Sequence, residues 1–360
     1  MNTALLTQMI ATSSIYPNES AMGELLVQYL RAHGFSVRTQ LVSSGRYNLF
    51  VEKGTEGKPV LFYGHLDTVP LVEPAAWRSD PLVLTQRKGR YYGLGVYDMK
   101  GGIAAFIEAC ERSEAHCKMF LAVDEENISE GAWKAVRNNA SFFSDVSLII
   151  SAEPNFDLGL HGVTRARTGR YVFDVIFEGI PAHIAQYKQG VDAIQKAAQF
   201  VTQLYKKRES LFGARGSVVQ ARFISGEAVG MSVSARAEVQ VEVLSSYRDT
   251  VQSITRRLMQ LTDAPVRLRP RTTPYLSGYH FDTIPHAHLL EKIIKKTTGK
   301  SIQLHARMSV GDDNVLATLG IPVITWGPDG GNAHAPNEYV SADSLKKLTS
   351  MYYEFLEGMR

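Results

Sequence analysis

A histidine and an aspartate two residues apart, His65 and Asp67, follow the apolar run Val60-Leu61-Phe62-Tyr63-Gly64. Alternate residues of an extended chain lie on the same side, so both side chains can face one site. Imidazole nitrogen is a good ligand for zinc-like ions, and a nearby carboxylate can bind the ion or orient the ring. Alone, such a pair fits a surface or core histidine equally well, but the same event recurs along the chain. Residues 119–123 form a second apolar run that ends in Asp124-Glu125-Glu126. Adjacent carboxylates repel unless something positive lies among them. A third run, residues 146–150, leads into Ser151-Ala152-Glu153-Pro154, where the proline keeps Glu153 extended. A fourth, residues 321–325, leads into a glycine-rich loop bearing His334. Asp98 stands in Gly93-Leu94-Gly95-Val96-Tyr97-Asp98-Met99-Lys100-Gly101-Gly102, ahead of a small-residue helix. Taken singly it reads as a helix cap, or as part of a phosphate loop that lacks the GxxxxGK[ST] spacing. Two histidines and several carboxylates without cysteine make a nitrogen and oxygen donor set suited to zinc, cobalt or manganese. Five ligands exceed one tetrahedral ion with an open position and suit two ions about 3.5–4 Å apart that share one carboxylate.

The elements that must position these residues follow from the pattern around them. Continuously apolar runs read as strands buried on both faces, and open α/β sheets place their ligands at the carboxyl ends of such strands. Met22, Leu25, Leu26, Tyr29 and Leu30 recur at helical spacing, with Asn18 or Ser20 as cap and Gly34 as stop. After Glu153 the rhythm changes. Residues 171–177 alternate as a strand, 190–207 read as a helix, 217–224 and 232–244 as strands, and 250–261 as a helix. This is an inserted α+β unit of about 110–120 residues, within ordinary domain size. It contains Gly179-Ile180-Pro181-Ala182-His183-Ile184-Ala185, and a lone histidine after a turn reads first as structural. Helix–strand alternation resumes near residue 283 and a helix closes the chain from 341.

Composition narrows the class. The 360 residues are 44% hydrophobic and 21% charged with a net charge of +3, enough for more than one core and close to charge balance. No basic stripe interleaved with aromatics points to nucleic acid. Arg267, Arg269 and Arg271 alternate at strand spacing and read as a solvated strand face. No apolar stretch approaches the length of a membrane span, and the first residues do not read as a signal peptide. Cys110 and Cys117 lack metal-motif spacing, so a reducing cytoplasm is the expected location.

In this order, GHLDTVP at 64–70, GLGVYDMKGG at 93–102, DEEN at 124–127, SAEP at 151–154, GIPAHIA at 179–185 and AHAPNEYV at 333–340 resemble the M20 family of metallopeptidases and amidohydrolases. That family includes acetylornithine deacetylase, succinyl-diaminopimelate desuccinylase, carboxypeptidases and dipeptidases. The resemblance implies an α/β catalytic domain, residues 1–160 and 279–360, with a mixed central sheet flanked by helices. It implies an inserted α+β lid and dimerisation domain at 161–278, and hence a homodimer. It implies two divalent ions, Zn2+ or Co2+: Asp98 bridging, His65 and Glu153 on one ion, Glu126 and His334 on the other. Glu125 becomes the general base, Asp67 orients His65, and His183 reaches a partner's site to hold an oxyanion. The expected substrate is an N-acyl amino acid, with a dipeptide or short peptide as the alternative. A catalytically silent binding relative is the reading from another class, and Glu125 beside the ligands argues against it. Two departures stand out. Many relatives carry a carboxylate-gripping arginine near the end of the lid strand, where this chain has Leu244-Ser245-Ser246-Tyr247 before Arg248. The usual asparagine–proline turn opening that strand is Met231-Ser232-Val233-Ser234. Recognition of a substrate carboxylate then falls to Arg248 or to the glycine loop at 327–331.

Overall fold

The computed structural model describes residues 3–156 and 158–360, apart from the side chain of Glu56. It divides into two compact units, Met1–Ala166 with Phe281–Ala306 and Gly311–Arg360, and Arg167–His280 with Arg307–Val310. The chain thus crosses between units at 166/167 and 280/281 rather than at 160/161 and 278/279, and a short stretch near 307–310 belongs with the second unit.

The first unit is a mixed α/β fold, as expected. Its central sheet runs in the order Ser36–Ser43, Arg46–Lys53, Ala115–Ala122, Glu56–His65, Leu148–Ser151, Val323–Thr325, Gly162–Arg167. Glu56–His65 is parallel to both neighbours, and Val323–Thr325 is parallel to Leu148–Ser151. The flanking pairings are antiparallel. All residues of Leu148–Ser151 and Val323–Thr325 are buried, which is why these runs carry no polar alternation. Phe62 faces one side, 5.4 Å from Phe106 of helix Gly101–Arg112 and 5.0 Å from Tyr352 of helix Ala342–Glu357, ring centre to ring centre. Tyr63 faces the other, 6.0 Å from Phe120, which stacks on Phe50 at 5.2 Å. Each such buried aromatic contributes about 1.5–3 kcal/mol over exposure. Parallel strands share a direction, so their carboxyl ends gather at one edge of the sheet.

A small sheet in the order Gly330–Gly331, Tyr339–Ser341, Arg90–Tyr92, Thr85–Arg87 joins the loop around His334 to the segment preceding Asp98. The segment between His65 and Gly93 thus contributes two short strands, Thr85–Arg87 and Arg90–Tyr92, to this sheet. Helix Ser20–Ala32 differs from expectation at its start. Glu19 occupies the cap position without a capping bond, and Ser20 donates instead to the Gly45 carbonyl.

In the second unit an antiparallel sheet runs Val218–Glu227, Arg236–Ser245, Gly169–Glu178, Val266–Leu268. Phe173, Val175 and Phe177 alternate onto a core shared with Phe200 and Leu204 of helix Ala193–Leu211 and with Ile254 and Leu258 of helix Val251–Leu258. Asp192 caps the first helix through Ile194 N–H at 2.8 Å, and Thr250 with Ser253 forms a capping box on the second. Among the described residues no helix is long and apolar enough to cross a membrane.

Candidate active site

Three strand ends and two glycine-bearing loops of the first unit deliver the candidate ligands. His65 is the last residue of Glu56–His65, and Glu125 and Glu126 follow Ala115–Ala122. Glu153 follows Leu148–Ser151, and His334 lies in the loop between Gly331 and Tyr339. Helix Gly101–Arg112 packs against the same edge because Gly102 leaves room where a Cβ would meet the Ala152 carbonyl oxygen. Gly327 does the same for the Glu153 carbonyl. Asp98 precedes that helix, joined to Met99 by a cis peptide bond. Its side chain makes no cap; it turns to the histidines.

Asp98 Oδ1 lies 3.1 Å from His65 Nε2, and Asp98 Oδ2 lies 3.3 Å from His334 Nε2. His65 Nε2 is also 3.6 Å from Glu153 Oε1, and His334 Nε2 is 2.9 Å from Glu126 Oε1. His65, Asp98 and Glu126 offer ligand atoms within 4.8 Å of one another, as do His65, Glu125 and Glu153. Distance alone therefore does not separate Glu125 from the ligands. His65 Nδ1 sits 2.9 Å from the Asp67 backbone carbonyl. That contact fixes a proton on Nδ1 and turns Nε2 toward the carboxylates, where it would bind an ion once its own proton is displaced. His65, Asp67, Asp98 and Glu153 are buried, whereas the His334 side chain is 49% exposed.

The charges explain what such a cluster needs. Burial pulls the His65 pKa down, but its bond to Asp98 and the charges of Asp67 and Glu125 lift it well above the usual imidazole value. Bonds to Asp98 and Glu126 push His334 up to about 10 against burial. Burial favours the neutral form of Asp98, yet hydrogen bonds from His334 and His65 hold it below the ordinary carboxylate range. Burial and then the charge of Glu153 raise Glu125 well above its normal value. Two imidazoliums cannot balance five converging carboxylates. Divalent cations would, displacing protons from both rings as they bind. The donor set fits such ions.

Two carboxylates hold the site's backbone rather than its ligand atoms. Asp67, expected to orient His65, has its carboxylate 3.7 Å from Nδ1 and takes its hydrogen bonds from Glu126 N–H at 2.9 Å and Glu125 N–H at 3.3 Å. Glu338, not singled out in the sequence, accepts from the backbone N–H groups of Gly95, Tyr97 and Asp98 at 2.7, 2.8 and 2.9 Å. The signal for it is its place in Pro336-Asn337-Glu338, four residues beyond His334. Lys100, likewise buried, donates to the carbonyls of Met9 and Thr12, and burial lowers its pKa to about 7.

His183 belongs to the second unit and is exposed on a turn that pairs with Ser232. Its Nδ1 accepts from Ala185 N–H at 3.2 Å, so the neutral ring carries its proton on Nε2, facing solvent. Arg248 is also exposed there, its Nε donating to the Tyr247 hydroxyl at 3.0 Å.

A family model described as "Peptidase family M20/M25/M40" matches residues 61–358. The chain belongs to this family. As an M20 protein it is a metal-dependent hydrolase of amide bonds. A curated succinyl-diaminopimelate desuccinylase of Burkholderia multivorans is 28% identical, over 99% of this chain and 98% of that protein. An aminopeptidase of Bacillus cereus shares the fold with a TM-score of 0.82 and 17% identity, over 100% of this chain and 99% of that one. A Bacillus subtilis protein described as a dinuclear metal binding peptidase of the M20 family shares it with a TM-score of 0.73 and 14% identity, over 98% and 96%.

Proposed function

We propose that this M20 chain is a dinuclear-metal amidohydrolase that removes an N-acyl group, acetyl or succinyl, from an amino acid. The observation that carries the reading is Asp98, whose two oxygens face two different histidines. In this reading Asp98, His65, Glu153, Glu126 and His334 would hold two ions, His65 and Glu153 lying beside one oxygen of Asp98 and Glu126 and His334 beside the other. The pairing of imidazole nitrogen with carboxylate oxygen suits zinc or cobalt. When bound, such ions would polarise the substrate carbonyl and acidify a water at neutral pH. The chain supplies the rest. Glu125 takes a proton from the attacking water and returns it to the leaving amine; it stands among the candidate ligands, with a carboxylate oxygen within 4.8 Å of His65 and Glu153 ligand atoms. The solvent-facing Nε2–H of His183 is a donor for an oxyanion in a partner protomer.

A homodimer through the inserted unit is supported by its edge strand. Among the described residues Val218–Glu227 pairs on one side only, and Phe223 is 46% and Ile224 53% exposed. An apolar edge of that kind is normally covered. Cys110 and Cys117, both free and buried, support a reducing cytoplasm.

The test is amine release by zinc- or cobalt-loaded protein from N-acetyl-ornithine, N-acetyl-methionine, N-succinyl-diaminopimelate and several dipeptides, with Glu125→Gln alongside. We expect one N-acyl amino acid to be preferred. Glu125→Gln should lose about 10²–10⁴-fold in turnover while keeping both ions. Preference for dipeptides would replace the deacylase reading with a peptidase one. Loss of metal from Glu125→Gln would make Glu125 a ligand and remove it as the base.

A further inference from the structure

Asp124 opens the loop that carries Glu125 and Glu126, and its φ is +77°, a conformation that a non-glycine residue keeps only when its surroundings enforce it. Its carboxylate is the point of enforcement. Oδ1 accepts from Arg46 Nη2 at 2.9 Å and from the Asn127 amide at 3.3 Å, and Oδ2 accepts from Glu130 N–H at 3.0 Å. Arg46 is in turn held from behind. Its Nε and Nη2 donate to the two oxygens of Glu19 at 2.7 and 2.6 Å. Its guanidinium carbon lies 4.8 Å from the centre of the Tyr16 ring, and the Tyr16 hydroxyl accepts from the Asn127 amide at 2.9 Å. The side chains of Arg46, Glu19 and Asp124 are 8%, 0% and 1% exposed, so this fork works away from water, where an unpaired charge is costly.

The far side of the same loop is fixed by Asp67 through the N–H groups of Glu125 and Glu126. The two glutamates are thus held between an anchor at Asp124 and an anchor at Asp67. We infer that Arg46 is a positioning residue for this loop, tying the Glu125 and Glu126 carboxylates to Glu19 at the start of helix Ser20–Ala32. The inference rests on the reading of Glu125 as the proton carrier. Lysine cannot replace Arg46, because one ammonium point charge does not span two carboxylates as the planar fork does. Misplacement of a reacting group by about 1 Å can cost on the order of 100-fold, so a small tilt of this loop should register in turnover.

The experiment uses the full-length zinc-loaded protein and two readouts. Arg46→Lys should lower kcat by about 10–100-fold on the best substrate of the panel above, with KM changed less than about twofold and zinc content intact. In a Glu125→Gln background the same change should cost less than about threefold, because no base remains to be misplaced. Hydrogen exchange at the Glu125 and Glu126 amides should quicken at least about tenfold in Arg46→Lys while strand Ala115–Ala122 keeps its protection. If Arg46→Lys does not fold, Glu19→Gln loosens the fork from behind and should shift both readouts in the same direction. Equal losses in the two backgrounds, or unchanged exchange at those two amides, would overturn the inference. Full activity in Glu125→Gln itself would instead sink the base reading, and the exchange measurement would still decide the role of Arg46.

Discussion

Asp67→Asn keeps the shape of a buried side chain but leaves it one acceptor oxygen in place of two. In the native protein Oδ2 accepts from Glu126 N–H at 2.9 Å and Oδ1 from Glu125 N–H at 3.3 Å. Whichever way the new amide turns, its NH2 group meets a backbone N–H, donor against donor. A hydrogen bond to a charged group contributes about 1.5–3 kcal/mol. If that loss is expressed in the placement of Glu125, it corresponds to roughly 10- to 150-fold in rate. Replacing groups that support metal ligands typically costs about 10–100-fold, which falls within the same range. Steady-state amine release at saturating zinc, with metal content measured on the same samples, is the assay. The expected result is kcat lowered about 10–100-fold, KM nearly unchanged and both ions retained. Turnover within about threefold of the native protein would refute the reasoning. A loss that merely tracks lost metal would also refute it, and would return Asp67 to the role of orienting His65.

The remaining expectations reach other parts of the molecule. A Cβ at Gly327 would overlap the Glu153 carbonyl oxygen and lie 2.8 Å from its carbon. Gly327→Ala should therefore cost about 1–3 kcal/mol in denaturant unfolding and weaken zinc binding, and native zinc affinity in that variant would clear Glu153 of the effect. Burial raises the pKa of Glu242, but its bonds to Arg170 and Gln220 and the charge of Arg222 lower it more, so the folded value lies below the unfolded 4.5. A depressed carboxylate stabilises the fold above the unfolded pKa and stops doing so as pH falls through the folded one. Glu242→Gln should thus lower Tm at pH 7, and the gap should close below about pH 4.5; a gap that widens in acid would reverse the sign. Mixing Glu125→Ala with His183→Ala protomers should restore some hydrolysis, since one composite site regains both residues. No recovery after verified subunit exchange would remove His183 from the partner's site.

How much of the fold and the site is legible in the sequence depends on whether a residue's meaning is local. Val60 to Phe62 and Leu148 to Ile150 are buried on both faces of a sheet, so they have to be continuously apolar, and polar residues beyond them stand toward its edge. That logic picks out His65, Glu125, Glu126 and Glu153 from the pattern of residue types alone, and the glycines around Asp98 and His334 mark backbones that must bend or pack closely. Same-side spacing places Asp67 beside His65 correctly, yet it cannot show that the carboxylate reaches past the ring to the N–H groups of the neighbouring strand end. The same limit hides Glu19, Arg46 and Glu338. Each is a charged residue in a context that reads as surface, and each is buried because its partner lies far along the chain: 27 residues from Glu19 to Arg46, 78 from Arg46 to Asp124, and 240 or more from Glu338 to the Asp98 loop. The candidate ligands stand out because most of them follow directly on a buried strand. The residues that aim them satisfy hydrogen bonds closed only by the fold.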